Sequence, residues 1–310
     1  MTAINPVSTL LNHLQTQAVP NELRRLFHGR GRCYEGLEQI TVDWLQGQLL
    51  VSLFKEHDVD LIASLKQALL SLVETEAFNG KVSAILLQHR YLPDSDLEVL
   101  YGELTAMPIV EENGLKYGLK LGVKQNMGLF LDMRLGREFV KAQSAGARVL
   151  NLFSYTCGFS VSAIAGGAAH VVNLDMAKAA LKQGRVNHQL NEHDLSKVSF
   201  LGHDLFKSWG KVRKYGPYDL IVIDPPSFQK GSFALTKDYQ RILRKLPELL
   251  TPNAQVLACV NSPDVSSQFL IDEMIREAPT LTFVERLQNP PEFKDIDEQS
   301  SLKCLRFKAD

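Results

Sequence analysis

One short apolar run, Tyr218–Ile223, constrains the fold of this chain more than any other part of its sequence. The run is rich in branched residues and apolar on both faces, which is typical of a strand buried in a parallel sheet. It leads directly into the turn Asp224-Pro225-Pro226-Ser227-Phe228. In open α/β sheets, ligands bind at the carboxyl ends of such strands. We therefore expect a parallel α/β sheet with a ligand-binding turn after this strand.

The chemistry of that turn favours a planar ligand. Pro225 and Pro226 stiffen the backbone and lack N–H donors, so carbonyl groups there stay available as acceptors. Asp224 adds a carboxylate and Phe228 adds a flat ring. Together they suit a planar group that carries an amine, such as a nucleobase. An ordinary strand-to-loop turn stopped by proline is the alternative interpretation.

Strand and helix patterns alternate from about residue 126 onward. The predicted strands are Arg148–Phe153, Ala169–Leu174, Lys197–Leu201, Tyr218–Ile223, Gln255–Val260, Thr280–Leu287 and Leu302–Phe307. The predicted helices are Phe159–Ala165, Met176–Asn191, Lys237–Leu250 and Asp264–Arg276. Such alternation predicts an α/β fold with a doubly wound, seven-stranded, Rossmann-like sheet. The last two strands are expected to pair as an antiparallel hairpin at its edge.

The helix and strand patterns of residues 1–125 predict a smaller α+β domain. Its predicted helices are Leu10–Gln17 and Asp60–Glu76, the second with apolar residues at helical spacing. Its predicted strands are Ile40–Trp44, Gln48–Phe54, Val82–His89, Pro108–Glu111 and Leu115–Leu121. We therefore divide the chain into an N-terminal domain, residues 1–125, and a larger domain, residues 126–310.

Charge and cysteine content narrow the classes of protein. The formal net charge is −1, so a nucleic-acid partner must be met by a local basic patch. The four cysteines form no CxxC pair, so we expect neither a metal site nor disulfides. That usage fits a reducing, cytoplasmic compartment. We expect no signal peptide and no membrane span, and the oligomeric state stays open.

The loop after the first predicted strand of the sheet has the place of a small-ligand cradle. A dinucleotide loop needs three spaced glycines so that backbone can approach a pyrophosphate. Here Gly158 is the one glycine, and hydroxyl side chains fill much of the rest. The chain also has no GxxxxGK[ST] segment, which disfavours a nucleotide triphosphate. The loop therefore favours a ligand without a phosphate group.

Two acids follow the next two strands. Asp175 ends the second strand, where a carboxylate accepts hydrogen bonds from both hydroxyls of a ribose. Asp204 follows the third strand and is placed to accept from an adenine amine, with Leu205 packed beside the ring. A ribose acceptor and an adenine acceptor without a phosphate site describe S-adenosylmethionine. The alternative is that both acids simply cap helices, a role that Asp favours.

Four segments together resemble a known family. They are Gly128-Leu129-Phe130-Leu131-Asp132-x-Arg134, Leu150-Asn151-Leu152-Phe153-Ser154-Tyr155-Thr156, the acid Asp175, and Asp219–Ile223 with Asp224-Pro225-Pro226-x-Phe228. They resemble the class I methyltransferases that modify bases of large-subunit ribosomal RNA. The resemblance is closest to the guanine-N7 methyltransferase half of the bifunctional bacterial 23S rRNA enzyme. It runs from about residue 80 to the C-terminus.

The resemblance implies a role for each matching residue. The residues implied at the cofactor are Asp132, Arg134, Asn151, Phe153, Ser154, Tyr155, Thr156, Gly158, Asp175, Met176, Asp204, Leu205 and Asp224. Of these, Phe153, Ser154 and Thr156 would line the methionine side. The residues implied at the target base are Asp224, Pro225, Pro226 and Phe228. The sequence departs from the family at Met127, because the family usually has Thr immediately before the glycine that corresponds to Gly128.

The sequence also bears on which atom is methylated. Methylation of carbon 5 of cytosine needs a cysteine nucleophile. In the cytosine-C5 methyltransferases of the same superfamily, to which the resemblance is more distant, this thiol follows the fifth strand, where Asn261 stands here. Cys259 lies inside a predicted strand, where a small buried hydrophobe is expected. Guanine N7 carries no proton, so positioning suffices. We expect direct transfer to guanine N7. An exocyclic amine, a protein side chain, a small molecule, and a binding protein without activity are the alternatives.

Two basic segments are predicted to contact RNA. The denser one is Arg24–Tyr34, where glycines and aromatic residues accompany the arginines and where Arg30 and Arg32 are the expected contacts. The second is a rim formed by Lys230, Arg241, Arg244 and Lys245. The alternative in both cases is ordinary solvated surface charge.

Overall fold

A computed structural model describes residues 5–94, 96–226 and 235–310. The helices are α1 (Pro6–Gln15), α2 (Val59–Leu72), α3 (Arg134–Ala142), α4 (Gly158–Ala165), α5 (Lys178–Leu190), α6 (Trp209–Tyr215), α7 (Leu235–Leu243) and α8 (Ser267–Glu277). The first seven strands are β1 (Arg24–His28), β2 (Ile40–Leu45), β3 (Gln48–Leu53), β4 (Ala84–His89), β5 (Leu97–Gly102), β6 (Ile109–Glu112) and β7 (Leu115–Gly118). The others are β8 (Arg148–Leu152), β9 (His170–Leu174), β10 (Val198–Leu201), β11 (Tyr218–Ile223), β12 (Leu250–Val260), β13 (Leu281–Leu287) and β14 (Lys303–Ala309).

The larger sheet has seven strands in the order β10-β9-β8-β11-β12-β14-β13. Strands β8 to β12 pair in parallel, whereas β14 pairs antiparallel with both β12 and β13. These findings confirm the predicted α/β class, the seven strands and the antiparallel pairing of the last two. The last strand of the chain, β14, lies between β12 and β13, so β13 is an edge strand of the sheet. The strand order reverses between β8 and β11, which is where sheets of this kind bind ligands.

Contacts divide the chain into two compact units. The first combines Met1–Leu131 with Pro291–Ile296, and the second combines Asp132–Pro290 with Asp297–Asp310. The prediction placed a single boundary near residue 125. The sequence pattern gives no sign that the six residues Pro291–Ile296 join the first unit.

The first unit is built on a five-stranded sheet in the order β1-β2-β3-β4-β5. The core on one face consists of residues such as Val42, Val51 and Leu87, packed with α1 and α2 residues such as Leu10 and Leu69. A capped start orients α1, because the Asn5 side chain accepts from the backbone N–H of Val7 at 2.9 Å. Strands β6 and β7 pair separately.

The second unit buries both faces of its central strands. Residues such as Leu150, Ile221 and Ile223 face one core, while Val149, Leu220 and Val222 face the other. The run that predicts a buried parallel strand is therefore β11, covered on both sides as its apolar pattern indicates.

Several predicted elements need correction. The predicted helix Lys237–Leu250 ends at Leu243 because Pro247 lacks an N–H and cannot continue a helix, and β12 already begins at Leu250. The predicted helix Met176–Asn191 begins at Lys178, after Asp175 has bonded the N–H of Ala177. Four elements had no counterpart in the prediction: α3, α6, β1 and β5. Strand β1 falls in the basic segment Arg24–Tyr34, which is predicted to contact RNA.

In the part of the chain that the structure describes, no helix is long and apolar enough to cross a membrane. The same residues contain no group of three His, Cys, Asp or Glu side chains arranged to hold a metal ion.

Candidate cofactor and base-binding site

Four parallel strands end level with one another. Leu201 pairs with Leu174, Leu174 with Leu152, and Leu152 with Ile223. The residues that follow these ends therefore form one row along the sheet edge: Gly202, Asp175, Phe153 and Asp224. With strands about 4.8 Å apart, the row spans about 14 Å. The sheet thus brings the predicted ribose acid, the cradle loop and the base-binding turn to one edge.

The cradle loop after β8 has an unusual backbone. Phe153, Tyr155 and Cys157 all have positive φ angles, of 56°, 46° and 64°. Such angles cost free energy in residues other than glycine and persist only where surrounding contacts impose them. Here the N–H of Ser154 donates to the Leu174 carbonyl at 3.1 Å, and that of Cys157 donates to the Ser154 carbonyl at 2.7 Å. The loop is thus bent into a fixed shape at the switch point of the sheet.

Helix α5 supports this loop from outside. A Cβ atom on Gly184 would lie 2.3 Å from the Cys157 sulfur and 2.8 Å from its Cβ, so only glycine allows this approach. Three residues later, the Asn187 side chain donates to the Thr156 carbonyl at 3.0 Å. Sequence reasoning missed both supports, although a glycine in the middle of a predicted helix was a visible signal.

Asp175 connects the loop to the second strand. One carboxylate oxygen accepts from the Tyr155 N–H at 2.7 Å, and the other accepts from the Ala177 N–H at 2.7 Å. Each oxygen has a further lone pair, so Asp175 retains capacity to accept from ligand hydroxyls. Burial raises the pKa of the Tyr155 phenol, and the Asp175 charge raises it further. The adjacent Met176 is exposed.

Asp204 has a structural partner as well. It caps a short 3-10 turn, accepting from the Phe206 N–H at 2.9 Å, and its carboxylate lies 3.7 Å from the Lys207 ammonium. The capping alternative therefore describes part of what Asp204 does, and its role toward adenine stays a prediction. Leu205 is buried in the core beneath this turn.

A buried polar chain runs behind the cradle loop. Asn151 donates to Asn173 at 3.0 Å, Asn173 donates to the Ser160 hydroxyl at 2.9 Å, and Ser160 lies 2.9 Å from His188 Nε2. Burial, together with the neighbouring His193 and Arg185, lowers the pKa of His188 to about 3, so His188 is neutral at physiological pH. The chain holds the Asn151 amide in one orientation.

Two buried oxygens at this loop have no hydrogen-bond partner among the described residues. They are Asn151 Oδ1 and Ser154 Oγ. An unpaired buried polar atom costs about 1–3 kcal/mol, so such atoms call for an explanation. A ligand with hydrogen-bonding groups provides one, since it would pair both oxygens. The polar character of this pocket therefore fits S-adenosylmethionine, which carries an amino group and hydroxyls.

The turn after β11 places Asp224 in a half-buried position. Burial and the nearby Asp132 together raise the pKa of the Asp224 carboxyl to about 7, although Arg137 acts in the opposite direction. Asp132 and Asp224 thus approach each other beside a buried guanidinium. Pro225 is buried and Pro226 is exposed. Phe228, the ring predicted to stack on the base, lies outside the described residues.

Asp132 and Arg134 lie where a 3-10 turn passes into α3. Both side chains are half-buried. Arg137, one turn further along α3, is buried, and the sequence predicts no role for it.

Tyr239 on α7 holds the edge of the sheet together beneath the turn. Its buried hydroxyl lies 3.0 Å from the Cys259 carbonyl and 3.4 Å from the Ile223 carbonyl. Tyr239 therefore connects the carboxyl-terminal ends of β12 and β11. The residue it contacts in β11, Ile223, directly precedes Asp224. No sequence motif marks this residue, because its role depends on two strands that are distant in the chain.

Cys259 lies inside β12 and is fully buried. Its sulfur is 3.7 Å from the Cys304 sulfur. The hydrogen bond with Cys304 raises the pKa of the Cys259 thiol well above its ordinary value, and burial raises it further. A thiolate nucleophile is therefore disfavoured at this position.

Most of the predicted RNA-contacting cations are in ion pairs. In the basic segment, Arg24 pairs with Glu22 at 3.0 Å, Arg25 with Asp43 at 2.5 Å, and Arg32 with Asp295 at 2.8 Å. On the predicted rim, Arg241 pairs with Asp238, Arg244 with Glu277 and Lys245 with Glu248. Lys230 lies outside the described residues. Of the rim, the three cations that the structure describes are therefore all balanced by carboxylates.

Comparison with known proteins identifies the family. Residues 24–308 match the family model of S-adenosylmethionine-dependent methyltransferases. Ribosomal RNA large subunit methyltransferase I of Aeromonas salmonicida is 36% identical over 185 residues, which cover 58% of this chain and 46% of that protein. A Bacillus subtilis protein, provisionally named ribosomal RNA large subunit methyltransferase YwbD, is 30% identical over 288 residues, covering 88% of this chain and 70% of that protein. The chain spans about half the length of the first of these relatives.

Solved structures agree with this relationship. A candidate methyltransferase from Streptococcus mutans superposes with a TM-score of 0.86 at 25% identity, covering all of this chain and 83% of its own. A second structure with the same values is a candidate methyltransferase complexed with SAH. These matches confirm the predicted enzyme class and the predicted cofactor, S-adenosylmethionine. The chain belongs to the S-adenosylmethionine-dependent methyltransferase family.

Proposed function

We propose that this chain transfers the methyl group of S-adenosylmethionine to the N7 atom of a guanine base in 23S ribosomal RNA, without a covalent enzyme–base intermediate. The row of residues at the level ends of β10, β9, β8 and β11 carries the proposal. One end of that row offers acceptors suited to an adenosyl group, and the other offers a carboxyl beside two prolines. The names of the relatives support an RNA substrate.

On the cofactor side, Asp175 would accept from the ribose hydroxyls through the lone pairs that its two backbone contacts leave available. Asn151 Oδ1 and Ser154 Oγ would pair with polar groups at the methionine end. The bound cofactor supplies a methyl group on a sulfonium, which a nucleophile displaces in line. The chain would contribute position and exclusion of water, since hydrogen bonds involving Asp175, Asn187 and the loop backbone impose the shape of the loop.

On the base side, Asp224 and the backbone after it would hold the edge of the base. Guanine N7 has a lone pair in the ring plane and no proton, so transfer needs no general base. A carboxyl with a pKa of about 7 accepts hydrogen bonds from base N–H groups when it is ionised, which favours transfer above neutral pH. Tyr239 fixes the strand ends on which this turn rests.

An exocyclic amine is the second candidate target. The same acceptors would hold an amino group, and Asp224 with a raised pKa would then be suited to receive its proton. The two reactions differ in their product, because one gives a cationic N7-methylguanine and the other a neutral methylamino base.

Methylation of RNA from cells that lack the gene tests the function. The purified chain is incubated with that RNA and S-adenosylmethionine carrying a labelled methyl group, and nucleosides are separated and identified by mass. Label in N7-methylguanosine, with chain cleavage at that site after borohydride and aniline treatment, is the expected result. Label in a methylamino base would favour the second target. Absence of label in RNA, with label in protein or small molecules, would overturn the proposal.

A matched pair of variants links the product to the site. Asp224→Ala is expected to lose most transfer and little S-adenosylmethionine affinity, because its proposed contact with the base matters more to transfer than its predicted contact with the cofactor. Asp175→Ala is expected to lose cofactor affinity first. Equal loss of cofactor affinity in both variants would contradict this division of roles.

A further inference from the structure

Two arginine side chains lie against one aromatic ring in the first unit. The guanidinium carbon of Arg30 lies 4.4 Å from the centroid of the Phe54 ring, and that of Arg90 lies 4.9 Å from the same centroid. Arg30 is exposed, and Phe54 and Arg90 are half-buried. Cation–π contact of this kind holds a guanidinium in place without neutralising it.

These two arginines differ from their neighbours in charge balance. Arg24, Arg25 and Arg32 each pair with a carboxylate. Arg30 instead contacts the Gln39 side-chain oxygen at 3.3 Å, and Arg90 contacts the Gln125 carbonyl at 2.7 Å and the Asn126 side-chain oxygen at 3.0 Å. Among the described residues, no carboxylate lies within ion-pair distance of either guanidinium. The three residues Arg30, Phe54 and Arg90 are named the arginine platform below.

The arginine platform is a place of unbalanced positive charge. Burial lowers the pKa of the Arg30 guanidinium, and the charge on Arg25 lowers it further. Burial also lowers the pKa of Arg90, and the charges of Arg25 and Arg30 act in the same direction, although Asp43 opposes them. Like charges held close together repel each other, and a bound anion would offset that repulsion.

We propose that Arg30 and Arg90, held on Phe54, form a phosphate-binding site for single-stranded RNA. The inference rests on the proposed function, because it assigns the surface that holds the same RNA. Guanidinium groups form paired hydrogen bonds to phosphate oxygens, and neutral acceptors leave some of their donors available. Two arginines already lie against the Phe54 ring, so it serves as their support rather than as a stacking surface for a base.

RNA-binding measurements at several salt concentrations test the site. Arg30→Gln and Arg90→Gln keep a long polar side chain and remove the charge. Each is expected to weaken binding of a fluorescent single-stranded RNA about tenfold at low salt and to reduce the salt slope by about one. Arg32→Gln is the matched control, because Arg32, like Arg30, is exposed but is paired with Asp295 at 2.8 Å. It is expected to leave both quantities almost unchanged.

Further variants and probes make the result specific. Phe54→Leu keeps an apolar side chain without the ring and is expected to weaken RNA binding less than loss of an arginine. Arg30→Lys is expected to retain the salt slope and lose part of the affinity. Inorganic phosphate at millimolar concentration should compete with RNA only weakly if the site reads a phosphate within a strand. Complete competition would mean a site for free phosphate and would overturn the RNA assignment. Unchanged cofactor affinity and melting temperature show that each variant is folded.

Failure of this site and failure of the proposed function give different results. If the wild-type chain methylates RNA while Arg30→Gln and Arg90→Gln bind RNA as it does, the phosphate site is wrong and the function stands. If both variants lose RNA affinity while no label enters RNA, the phosphate site stands and the proposed reaction is wrong. The binding assay needs no methyl transfer, so each outcome can be observed alone.

Discussion

At the scale of single residues, Asp224 shows how a local environment sets reactivity. Its carboxyl is half-buried, follows the largely buried strand β11 and lies near the Asp132 carboxylate. Both influences disfavour its charge, which raises its pKa to about 7, and the Arg137 guanidinium offsets them in part. The folded chain therefore keeps a proton on Asp224 over a pH range in which the unfolded chain has lost it.

Replacement of Asp224 by Asn is expected to stabilise the protein in a pH-dependent way. The folded-state pKa of about 7 lies above the value in the unfolded chain, so the wild type loses stability as pH rises from about 4 to 7 and stays at that level above 7. Asp224→Asn removes this loss, and its gain should grow with pH to at most about 4 kcal/mol. Urea unfolding without cofactor at pH 5 and pH 8 measures the difference. Asp272→Asn, which changes an exposed carboxylate, serves as the control. A gain that is the same at both pH values would contradict the raised pKa.

Cys259 gives a second prediction at this scale. Cys259→Ala removes a fully buried sulfur from β12 and is expected to cost about 1–2 kcal/mol of stability while leaving the rate of methyl transfer nearly unchanged. A buried thiol with a raised pKa cannot supply the thiolate that covalent catalysis needs. Single-turnover transfer to RNA measures the rate. Abolished transfer in a folded variant, together with a trapped enzyme–RNA adduct of the wild type, would show that the direct mechanism is wrong.

At the scale of secondary-structure elements, the cradle loop depends on how closely α5 approaches it. The helix meets the loop at Gly184, where the Cys157 sulfur occupies the space that any Cβ would need. Asn187 holds the same loop by its Thr156 carbonyl. Three positive φ angles in five residues persist because these contacts and Asp175 act together.

Gly184→Ala is expected to weaken cofactor binding. Alanine normally stabilises a helix relative to glycine by about 1 kcal/mol, but here its Cβ would collide with Cys157 and push the loop out of shape. We expect S-adenosylmethionine affinity to fall about tenfold, measured by calorimetry, a loss of about 1.4 kcal/mol. Gly210→Ala in α6 is the matched control, because nothing lies within 4 Å of its Cβ position. It should keep the affinity and slightly raise the melting temperature. Equal affinities in the two variants would show that the loop adapts.

At the scale of the whole molecule, the chain returns to its first unit near its C-terminus. Residues Pro291–Ile296 belong to that unit by their contacts. The Phe293 ring lies 5.0 Å from the His28 ring, and the Arg25 guanidinium lies 4.8 Å from it. Asp295 pairs with Arg32 in the same region. A cut near residue 125 therefore does not separate the two units.

Phe293→Ala tests whether the first unit depends on the segment Pro291–Ile296 for its stability. Loss of a mostly buried ring is expected to cost about 2–4 kcal/mol, and the cost should fall on the first unit. Hydrogen exchange followed by mass spectrometry should show faster exchange in β1 and in residues 29–31, with β8 and β11 little changed. Ile296→Ala, which trims an exposed side chain of the same segment, should change neither region. Faster exchange in β8 and β11 as well would mean that the two units open together.

Much of the fold and part of the site followed from local sequence patterns. The apolar run Tyr218–Ile223 and the alternation after residue 126 predict the sheet, because burial on both faces and right-handed crossovers leave few other arrangements. Asp175, Asp224 and the loop after β8 were predicted as site residues for the same reason, since parallel strands present their carboxyl ends at one edge. Short-range information sufficed for these features.

Other features arise from contacts between residues far apart in the chain. Tyr239 binds two strand ends, Gly184 admits Cys157, and Asn173 orients Asn151. Ion pairing also narrows the interpretation of the basic segment, because the charge of Arg32 is neutralised by Asp295, which is 263 residues away, whereas Arg30 has no carboxylate partner among the described residues. Residue types reveal strands, turns and acids at strand ends. Which polar atoms stay unpaired, and which charges stay unbalanced, depends on distances that exist only once the chain has folded.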